Sequence, residues 1–415
     1  MDEQPRLVVF TTLFPHPGQP SAGLFIRERM FRVAKILPIT VVAPVPWFPL
    51  QSLIRKSRPH FRPYAPRHEI QDGVEVLHPR FFSVPGLFKS LDGLFMALGS
   101  LPTLWRLRRR FAFDLIDAHF AYPDGYAATL LGKWLKVPVT ITLRGTEVPL
   151  SRDRARRRLI VKALQQTARI FAVSTSLKNH AASLGIDEAR IRVVGNGVDS
   201  QKFQPLPKQQ ARSQLGLPQG APVLISVGGL VERKGFHRVI ECLPQLCRQF
   251  PGLRYLIVGG AGPEGDWGER LRTQAAQLDL ADNVIFLGAL PSGELRLPLS
   301  AADVFVLATR NEGWANVFLE AMACGLPVVT TDVGGNAEVV CRPELGTVVP
   351  YSDHAALTWA LAEALRKPWQ REAIIAYAGE NSWDGRVAVL VEEFTRIAGS
   401  KRVGASRTST EVLGR

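Results

Sequence analysis

Residues 304–331, VFVLATRNEGWANVFLEAMACGLPVVTT, decide the fold. The stretch begins and ends with apolar runs, 304–308 and 328–331, whose length and β-branched residues predict two buried strands. Between them we predict a short helix, because Asn316 can cap its start and Gly325 suits the left-handed position after its end. The order is therefore strand, loop, helix and strand, with a tight loop before the helix.

The start of this helix, predicted over residues 317–324, is a candidate anion site. Its first amides, near Val317 and Phe318, have no partners within the helix, and the helix dipole adds partial positive charge there. Such an end can hold a phosphate or a diphosphate. Glu320 lies about one turn further on and leans back towards the same end, where it can reach the hydroxyls of a ribose. Glu312, in the loop, would face the other end of the ligand, unless both glutamates are simply solvated.

The motif that joins Glu312 to Glu320, EGWANVFLE followed by AMACGLPVV, resembles the signature of glycosyltransferase family 4. Members of that family are retaining enzymes of the two-lobed GT-B fold, and they use nucleotide-sugar donors. The resemblance implies that Glu320 binds the donor ribose and that Glu312 and Gly313 lie beside the transferred sugar. It also implies that the amides after Asn316 hold the diphosphate.

The length and composition suit a two-domain α/β protein. The chain has 415 residues, of which 46% are hydrophobic and 21% are charged, and this is too long for a single core of ordinary size. The start, MDEQPRLVVF, passes directly from charged residues into a strand, so we expect a cytoplasmic protein without a signal peptide. No stretch reaches the ~18 apolar residues of a membrane-spanning helix. The four cysteines lack metal-ligand spacing and are expected to be reduced structural thiols.

The net charge of +14 is confined to the first half of the chain, because residues 201–415 contain equal numbers of basic and acidic side chains. A basic first domain beside a neutral second one implies that only the first meets an anionic surface or ligand.

Strands alternate with helices in the first half, which predicts a parallel, doubly wound sheet with ligands beyond the carboxyl ends of its strands. Gly23 ends a loop after the first strand, and the resemblance implies that this loop lies near the donor phosphates. His119 follows a strand predicted over residues 114–118. The resemblance gives His119 a contact with the transferred sugar, whereas its position alone also suits a structural histidine.

Arg144 and Glu147 follow the strand predicted over residues 139–143, at a place where family members often have His-Gly-x-Asp. Arg144 cannot lose its proton at working pH, so it is not assigned acid/base catalysis. We instead predict that Arg144 and Glu147 contact the acceptor or a phosphate.

An apolar pattern with helical period, Leu87-Phe88-x2-Leu91-x2-Leu94-Phe95-x2-Leu98, is followed by four arginines between residues 106 and 110. It predicts either a helix that lies on an anionic membrane or a core-facing helix with a basic, solvated end. A second basic run, at residues 152–158, favours the membrane, and the inner face of the plasma membrane is then the candidate surface.

The second half repeats the α/β pattern. After the strand predicted over residues 223–227, Gly229 allows a close approach of a ligand to the backbone, and the adjacent cations Arg233 and Lys234 suit a diphosphate. Family members carry this pair at the donor diphosphate. By the same analogy, the backbone at Leu290 meets the nucleotide base.

The predicted domain boundary follows a turn at residues 196–199 that resembles the family's inter-domain linker. The prediction is an acceptor-binding Rossmann-like domain over residues 1–205, completed by a last helix at about 382–398, and a nucleotide-sugar-binding Rossmann-like domain over residues 206–381. Residues 399–415 are polar, basic and without periodicity, and we predict a disordered tail.

The resemblance covers most of the chain and implies an α/β protein of GT-B fold, with two Rossmann-like doubly wound parallel-sheet domains facing a central cleft. It implies a retaining, hexosyltransferase-type enzyme that moves a sugar from a nucleotide diphosphate sugar to a saccharide or lipid-linked acceptor, such as a cell-surface glycan precursor. The residues assigned to catalysis are His119, Glu312, Arg233 and Lys234.

The sequence contains no Asp-x-Asp motif, so we expect no metal cofactor, and it contains no RNA-binding motif, so we expect no nucleic-acid partner. Two alternatives stay open at this point: a nucleotide-sugar 2-epimerase of the same fold, and a non-catalytic binder of anionic surfaces.

Overall fold

The computed structural model describes residues 4–20, 22–49, 51–57, 61–262 and 264–412. The chain divides into two compact units: unit 1 comprises Met1–Asn196 and Asp384–Arg415, and unit 2 comprises Gly197–Trp383. The sequence places the boundary nine residues later, after residue 205. Residues 197–205 join unit 2 because Val198 and Phe203 are buried in its hydrophobic core.

Unit 1 is built on an eight-stranded sheet. Along the chain its strands and those of a small accessory sheet are β1 (Leu7–Phe10), β2 (Ile39–Val42), β3 (Val45–Trp47), β4 (His68–Gln71), β5 (Val74–Leu77), β6 (Arg80–Phe82), β7 (Leu115–His119), β8 (Val139–Leu143), β9 (Arg169–Ala172) and β10 (Ile191–Val193). The order in the main sheet is β10-β9-β8-β7-β1-β2-β5-β4, while β3 and β6 pair with each other. Only β4 runs antiparallel to its described neighbour, β5.

The helices of unit 1 follow the strands as the alternating pattern predicts. They are α1 (Leu24–Ala34), α2 (Gln51–Ser57), α3 (Asp92–Arg110), α4 (Tyr126–Leu135), α5 (Glu147–Leu150), α6 (Arg154–Gln166) and α7 (Thr175–Ser183). Apolar side chains of β1, β2 and α1 form one continuous core with those of the last helix of the chain.

Unit 2 contains a six-stranded, fully parallel sheet. Its strands are β11 (Val223–Val227), β12 (Arg254–Val258), β13 (Val284–Gly288), β14 (Val304–Leu307), β15 (Val328–Thr331) and β16 (Gly346–Val349), in the order β13-β12-β11-β14-β15-β16. The helices are α8 (Lys208–Gln214), α9 (Phe236–Gln249), α10 (Gly268–Gln277), α11 (Arg296–Ala301), α12 (Asn316–Ala323), α13 (Asn336–Val339), α14 (His354–Arg366) and α15 (Arg371–Glu380). The strand order reverses between β11 and β14, and ligands of such sheets bind at that point.

The last helix, α16 (Trp383–Val412), belongs to unit 1 from Asp384 onward. Phe394 stacks edge-on against Phe171 of β9, with ring centroids 5.8 Å apart. Glu393 accepts hydrogen bonds from Arg192 at 2.6 Å and from Arg396 at 2.7 Å, so charged contacts accompany the apolar one. Residues 399–412 continue this helix, where the sequence predicts a disordered tail. The disorder of this tail stays a prediction. Residues 413–415 lie outside the described part.

The apolar pattern at residues 87–98 does not face the core. The buried side chains of α3 include Met96, Ala97, Leu104 and Leu107, which lie on another face of the helix. Leu98 of the predicted pattern is 51% exposed, and Leu87 and Phe88 lie in the turns before the helix. The predicted apolar pattern is therefore not the face by which α3 packs on the core, although the helix does bury another face and ends in arginines, as the core-facing alternative expects. Among the described residues, no helix is both long and apolar enough to span a bilayer.

Candidate active site

Arg233 and Lys234 lie in a single helical turn between β11 and α9, at the carboxyl edge of the unit 2 sheet. The turn ends at Gly235, which has φ of 75°, and a Cβ atom there would come 1.9 Å from the carbonyl oxygen of Ala308. Only glycine fits this close approach. The Arg233 carbonyl oxygen accepts hydrogen bonds from the Arg310 amide at 2.8 Å and from the Thr309 hydroxyl at 3.1 Å. The cationic pair is thereby fixed to the loop that follows β14.

Glu312, in that same loop, contacts both cations. Its Oε1 atom accepts from Lys234 Nζ at 2.6 Å, from Arg233 Nη1 at 3.3 Å and from the Thr309 hydroxyl at 3.2 Å. The loop also packs closely on the segment after β15, since a Cβ atom on Gly334 would come 1.7 Å from the Glu312 carbonyl oxygen. Three residues that the sequence assigns to catalysis thus meet in one cluster.

Glu264 is a fourth charged member of this cluster. Its Oε1 atom accepts from Arg233 Nη2 at 2.8 Å and from Arg233 Nε at 3.0 Å. These hydrogen bonds lower the pKa of Glu264 below its usual range, against the opposing effect of burial. The two carboxylates of Glu264 and Glu312 balance the two cations, so the cluster carries no net charge.

The helix α12 begins immediately after the Glu312 loop. It starts at Asn316, and the capping position is held by Ala315, so the prediction that Asn316 caps the helix is wrong. The reason is that Ala315 is the last residue with extended backbone, and its carbonyl oxygen accepts the Phe318 amide at 3.1 Å. Within the described residues, the Val317 amide has no such partner. The amide available to an anion is therefore nearer the start of the helix than Phe318.

The other residues of unit 2 that are predicted to bind the donor lie before and after the members of this cluster along the chain. Gly313 forms a half-buried bend, and Glu320 is half-buried one turn into α12. Gly229 follows β11, and a Cβ atom there would make only ordinary contacts of 3.7 Å or more. Leu290 lines a cavity of about 310 Å³ together with Leu206, Leu215, Leu287 and Pro298.

In unit 1, His119 is the last residue of β7 and is fully buried. Its Nδ1 atom accepts hydrogen bonds from Arg144 Nη2 at 3.0 Å and Nε at 3.2 Å. Because arginine can only donate, the imidazole proton is assigned to Nε2, which lies 3.5 Å from Asp117 Oδ2. Burial and then the charge of Arg144 hold the pKa of His119 well below its usual value. The histidine is therefore neutral.

Arg144 and Glu147 hold loops of unit 1 together. Besides His119, Arg144 donates to Asn196 Oδ1 at 3.1 Å. Glu147 is buried, and its two oxygens accept the amides of Gly145 at 2.7 Å and Ala121 at 3.0 Å. The Glu147 carboxylate thus links the loops after β7 and β8. A contact of either side chain with an acceptor stays a prediction.

Gly23 has a steric reason to be glycine. It precedes α1 with φ of 67°, and a Cβ atom there would come 2.1 Å from the Leu13 carbonyl oxygen. The residue is needed for the turn whether or not a ligand binds beside it.

Two family models match the two halves of the chain. Residues 53–202 match the model described as Glycosyltransferase Family 4, and residues 207–381 match the model described as Glycosyl transferases group 1. The D-inositol 3-phosphate glycosyltransferase of Corynebacterium urealyticum is 30% identical over 345 residues, covering 78% of this chain and 81% of that protein. The chain belongs to the group 1, family 4 glycosyltransferases.

Other similar proteins agree with this assignment. The putative teichuronic acid biosynthesis glycosyltransferase TuaC of Bacillus subtilis (strain 168) is 29% identical over 390 residues, covering 92% of this chain and 92% of that protein. The Anabaena protein Alr3699/HepE, solved in complex with UDP, matches with a TM-score of 0.67 at 20% identity and covers 98% of this chain and 100% of that chain. The predicted fold class is confirmed: this glycosyltransferase has the two parallel-sheet α/β domains of GT-B enzymes.

The structure adds acidic residues of this glycosyltransferase that sequence reasoning missed. Asp117 is buried in β7, and burial raises its pKa to about 6, although the Thr140 hydroxyl donates to it at 2.7 Å. Asp124 is also buried, and burial raises its pKa to about 7 against hydrogen bonds from the amide and hydroxyl of Thr12. The sequence could have indicated Asp117, because it is a charged residue inside an otherwise apolar strand. Glu264 could have been considered because it follows glycines at the end of β12.

Among the described residues of the glycosyltransferase, no group of three or more His, Cys, Asp or Glu side chains is arranged to hold a metal ion.

Proposed function

We propose that this glycosyltransferase is a retaining, hexosyltransferase-type enzyme that takes its sugar from a nucleotide diphosphate sugar bound by unit 2. The observation that carries the proposal is the convergence of Arg233, Lys234 and Glu312 on the loop that enters α12. Two cations and the start of a helix suit a diphosphate, and the nearby carboxylate suits sugar hydroxyls. The UDP complex of the Anabaena protein is consistent with a nucleoside diphosphate at such a site.

Charge stabilisation is the main chemical contribution of this cluster. As the glycosidic bond breaks, negative charge develops on the leaving diphosphate, and Arg233, Lys234 and the Val317 amide are positioned to stabilise it. Loss of one such donor typically costs ~3 kcal/mol, or about a hundredfold in rate. We propose that these groups replace a metal ion in catalysis. The acceptor hydroxyl proton passes to a phosphate oxygen as the new glycosidic bond forms on the face that the diphosphate leaves.

His119 and Glu312 are proposed to orient the hydroxyls of the transferred sugar. The buried, neutral His119 carries its proton on Nε2 and can donate a hydrogen bond without adding charge. Glu320, one turn into α12, is proposed to accept hydrogen bonds from the ribose hydroxyls. Leu290 is proposed to lie beside the base.

The acceptor is proposed to be an anionic or lipid-linked saccharide bound by unit 1, for which the excess positive charge of residues 1–200 is the support. The names of two relatives refer to teichuronic acid biosynthesis and to D-inositol 3-phosphate, which fit an acidic acceptor. We place the enzyme in the cytoplasm, peripherally attached to the inner face of the plasma membrane. The exposed apolar residues before and within α3 support that attachment.

The first experiment is a thermal-shift screen of the purified chain against UDP, GDP, ADP and their sugars. We expect one nucleoside diphosphate to raise the melting temperature of the wild type and not that of Arg233→Ala. The matched control is Arg310→Ala, which removes an exposed arginine of the adjacent loop whose nearest described acidic partner, Glu232, is 3.7 Å away. If no nucleotide stabilises the wild type, the donor proposal is wrong.

Product analysis separates the remaining alternatives. A transferase consumes donor with an acceptor and keeps the anomeric configuration of the sugar. An epimerase instead converts the donor sugar without any acceptor, and a non-catalytic binder releases no nucleoside diphosphate in either case. Activity that is abolished by EDTA and restored by Mn²⁺ would refute metal independence.

A further inference from the structure

The guanidinium of Arg144 is enclosed by unit 1, and the residue is only 9% exposed. One edge of the guanidinium faces the imidazole of His119, with Nη2 at 3.0 Å and Nε at 3.2 Å from Nδ1. The third nitrogen, Nη1, donates to Asn196 Oδ1 at 3.1 Å. The guanidinium also lies over the ring of Phe25 in α1, with Cζ 5.0 Å from the ring centroid. All three nitrogens of Arg144 are therefore engaged within unit 1.

The contact with Arg144 decides which nitrogen of His119 carries the proton. A neutral imidazole has one N–H donor and one acceptor nitrogen, whereas a guanidinium only donates and stays charged. A proton on Nδ1 would face two N–H groups of Arg144 at hydrogen-bond distance and find no acceptor there. Only the neutral form with its proton on Nε2 avoids this conflict.

The same contact opposes a positive charge on the imidazole. The charged side chains around His119 are Arg144, Arg29 of α1 and Asp117 of β7. Burial, and then the charges of Arg144 and Arg29, hold the pKa of His119 well below its usual value. Asp117 acts in the opposite sense, but burial raises its own pKa to about 6, so its effect fades at acid pH.

The Nε2 atom of His119 is a buried donor. None of the residues that the structure describes forms a hydrogen bond with it, and Asp117 Oδ2, at 3.5 Å, is too distant for a good one. Buried donors in proteins almost always have a partner, and a hydroxyl of the transferred sugar can accept from this one. The sugar ring gains positive charge as the glycosidic bond breaks, and a neutral donor, unlike an imidazolium, does not repel that charge.

We propose that Arg144 is a positioning residue for the transfer reaction, because it fixes His119 in the Nε2-protonated form and so makes the imidazole offer a proton without a charge to the transferred sugar. The inference rests on the proposed contact of His119 with that sugar. It gives Arg144 no contact with either substrate, since its nitrogens are engaged inside unit 1. A direct contact of Arg144 with the acceptor is the competing role.

The first test reads the proton position in the full chain by nitrogen NMR with isotope-labelled histidine, and the His119→Gln variant assigns the signals. In the wild type, Nε2 of His119 should be protonated and Nδ1 unprotonated throughout about pH 6 to 8.5. Arg144→Lys keeps a charged donor and should preserve this form. Arg144→Gln can turn its oxygen or its amide nitrogen towards Nδ1, so it should give a mixture of both neutral forms. A wild-type His119 that is protonated on Nδ1, or charged in this range, would overturn the proposal whether or not the variants fold.

The second test compares kcat with pH. The ratio of wild-type to Arg144→Gln kcat should grow as the pH falls from about 8 to about 6, by up to about tenfold per unit below the imidazole pKa of the variant. Arg144→Lys should restore most of the wild-type profile. The matched control is Asn196→Ala, which removes the other acceptor of Arg144; its His119 signals and its pH profile should follow the wild type, whatever its kcat.

Three outcomes separate the possible failures. If Asn196→Ala reproduces the effects of Arg144→Gln, Arg144 only ties loops together and the proposal is wrong. A higher KM for the acceptor, with unchanged kcat and unchanged His119 signals, would identify a direct acceptor contact and also overturn it. In both cases the wild type still transfers sugar, so the proposed function stands. A wild type that transfers no sugar would refute the proposed function, and this inference with it.

Discussion

Glu264 and the donor diphosphate should compete for the same edge of the Arg233 guanidinium. Arg233 Nε and Nη2 both donate to Glu264, while Nη1 donates to the Asn311 carbonyl oxygen at 2.9 Å and to Glu312. A phosphate that approaches the Nε–Nη2 edge must therefore displace the Glu264 carboxylate. Glu264→Gln weakens this internal competitor and should tighten the binding of a nucleoside diphosphate.

The size of the gain follows from the exposure of the pair. The Glu264 side chain is 50% exposed, so solvent screens its attraction to Arg233. Ion pairs of this kind contribute about 0.2–1 kcal/mol, and glutamine keeps one oxygen that can still accept a hydrogen bond. The expected change is then about a 1.5- to fivefold lower Kd. A gain of a hundredfold would require a buried pair, which this is not.

Isothermal titration with the nucleoside diphosphate that gives the largest thermal shift is the appropriate measurement. The matched control is Glu269→Gln, which removes the same charge from α10 at a residue whose nearest basic atom is 3.9 Å away. In an Arg233→Ala background, Glu264→Gln should have no effect, because the shared guanidinium is absent. The competition argument fails if Glu264→Gln weakens nucleotide binding, or if Glu269→Gln gives an equal gain.

Three further predictions concern other parts of the site. Lys234→Ala should lower kcat/KM about a hundredfold in steady-state kinetics, through loss of charge stabilisation, while Arg310→Ala should stay near the wild type. Gly334→Ala should lower activity because its Cβ atom would collide with the Glu312 carbonyl oxygen, and Gly293→Ala, which has open space around it, should not. Asp124→Asn should become more stable relative to the wild type as pH rises. The pKa of Asp124, raised to about 7 in the folded state, makes the wild type lose stability between its unfolded value and that pH. Urea unfolding at about pH 5 and about pH 8 should show a difference between the two proteins that grows by on the order of 2–4 kcal/mol, and a constant difference would contradict the assignment.

The alternation of strands and helices predicted a parallel sheet in each half of the chain, but it left residues 45–85 unassigned, and the pairing direction there required a turn signal that periodicity does not contain. The antiparallel pair β4–β5 is joined at Asp72 and Gly73, both with positive φ. Asp-Gly between two strands is a strong hairpin signal, so this exception to the parallel sheet was readable from the sequence. The domain boundary was not, because Val198 and Phe203 are apolar in either domain and only packing decides which core they enter.

The sequence predicted those residues of the donor cluster that come directly after the end of a strand. Arg233, Lys234 and Glu312 each come shortly after a parallel strand, and the carboxyl ends of neighbouring strands lie at one edge of a sheet. Their partners depend on contacts between distant segments, such as Gly334 with Glu312, which no local pattern specifies. The same limit applies to Glu147: its sequence position suggests a ligand contact, yet the carboxylate accepts backbone amides from two loops of unit 1.

The case of α3 shows what helical periodicity can decide and what it cannot. The helix carries two apolar strips, and a helix that only covered a core would need one. Which strip faces inward is fixed by a close backbone contact: a Cβ atom on Gly99 would lie 2.5 Å from the Arg80 carbonyl oxygen. In this packing Met96 and Leu104 are buried, while Leu94, Leu98 and Trp105 are exposed. The pattern alone does not decide which strip is exposed, and Gly99→Leu should disturb the packing of α3 on β6, because a side chain there would collide with the Arg80 carbonyl oxygen, even though leucine favours the helix more strongly.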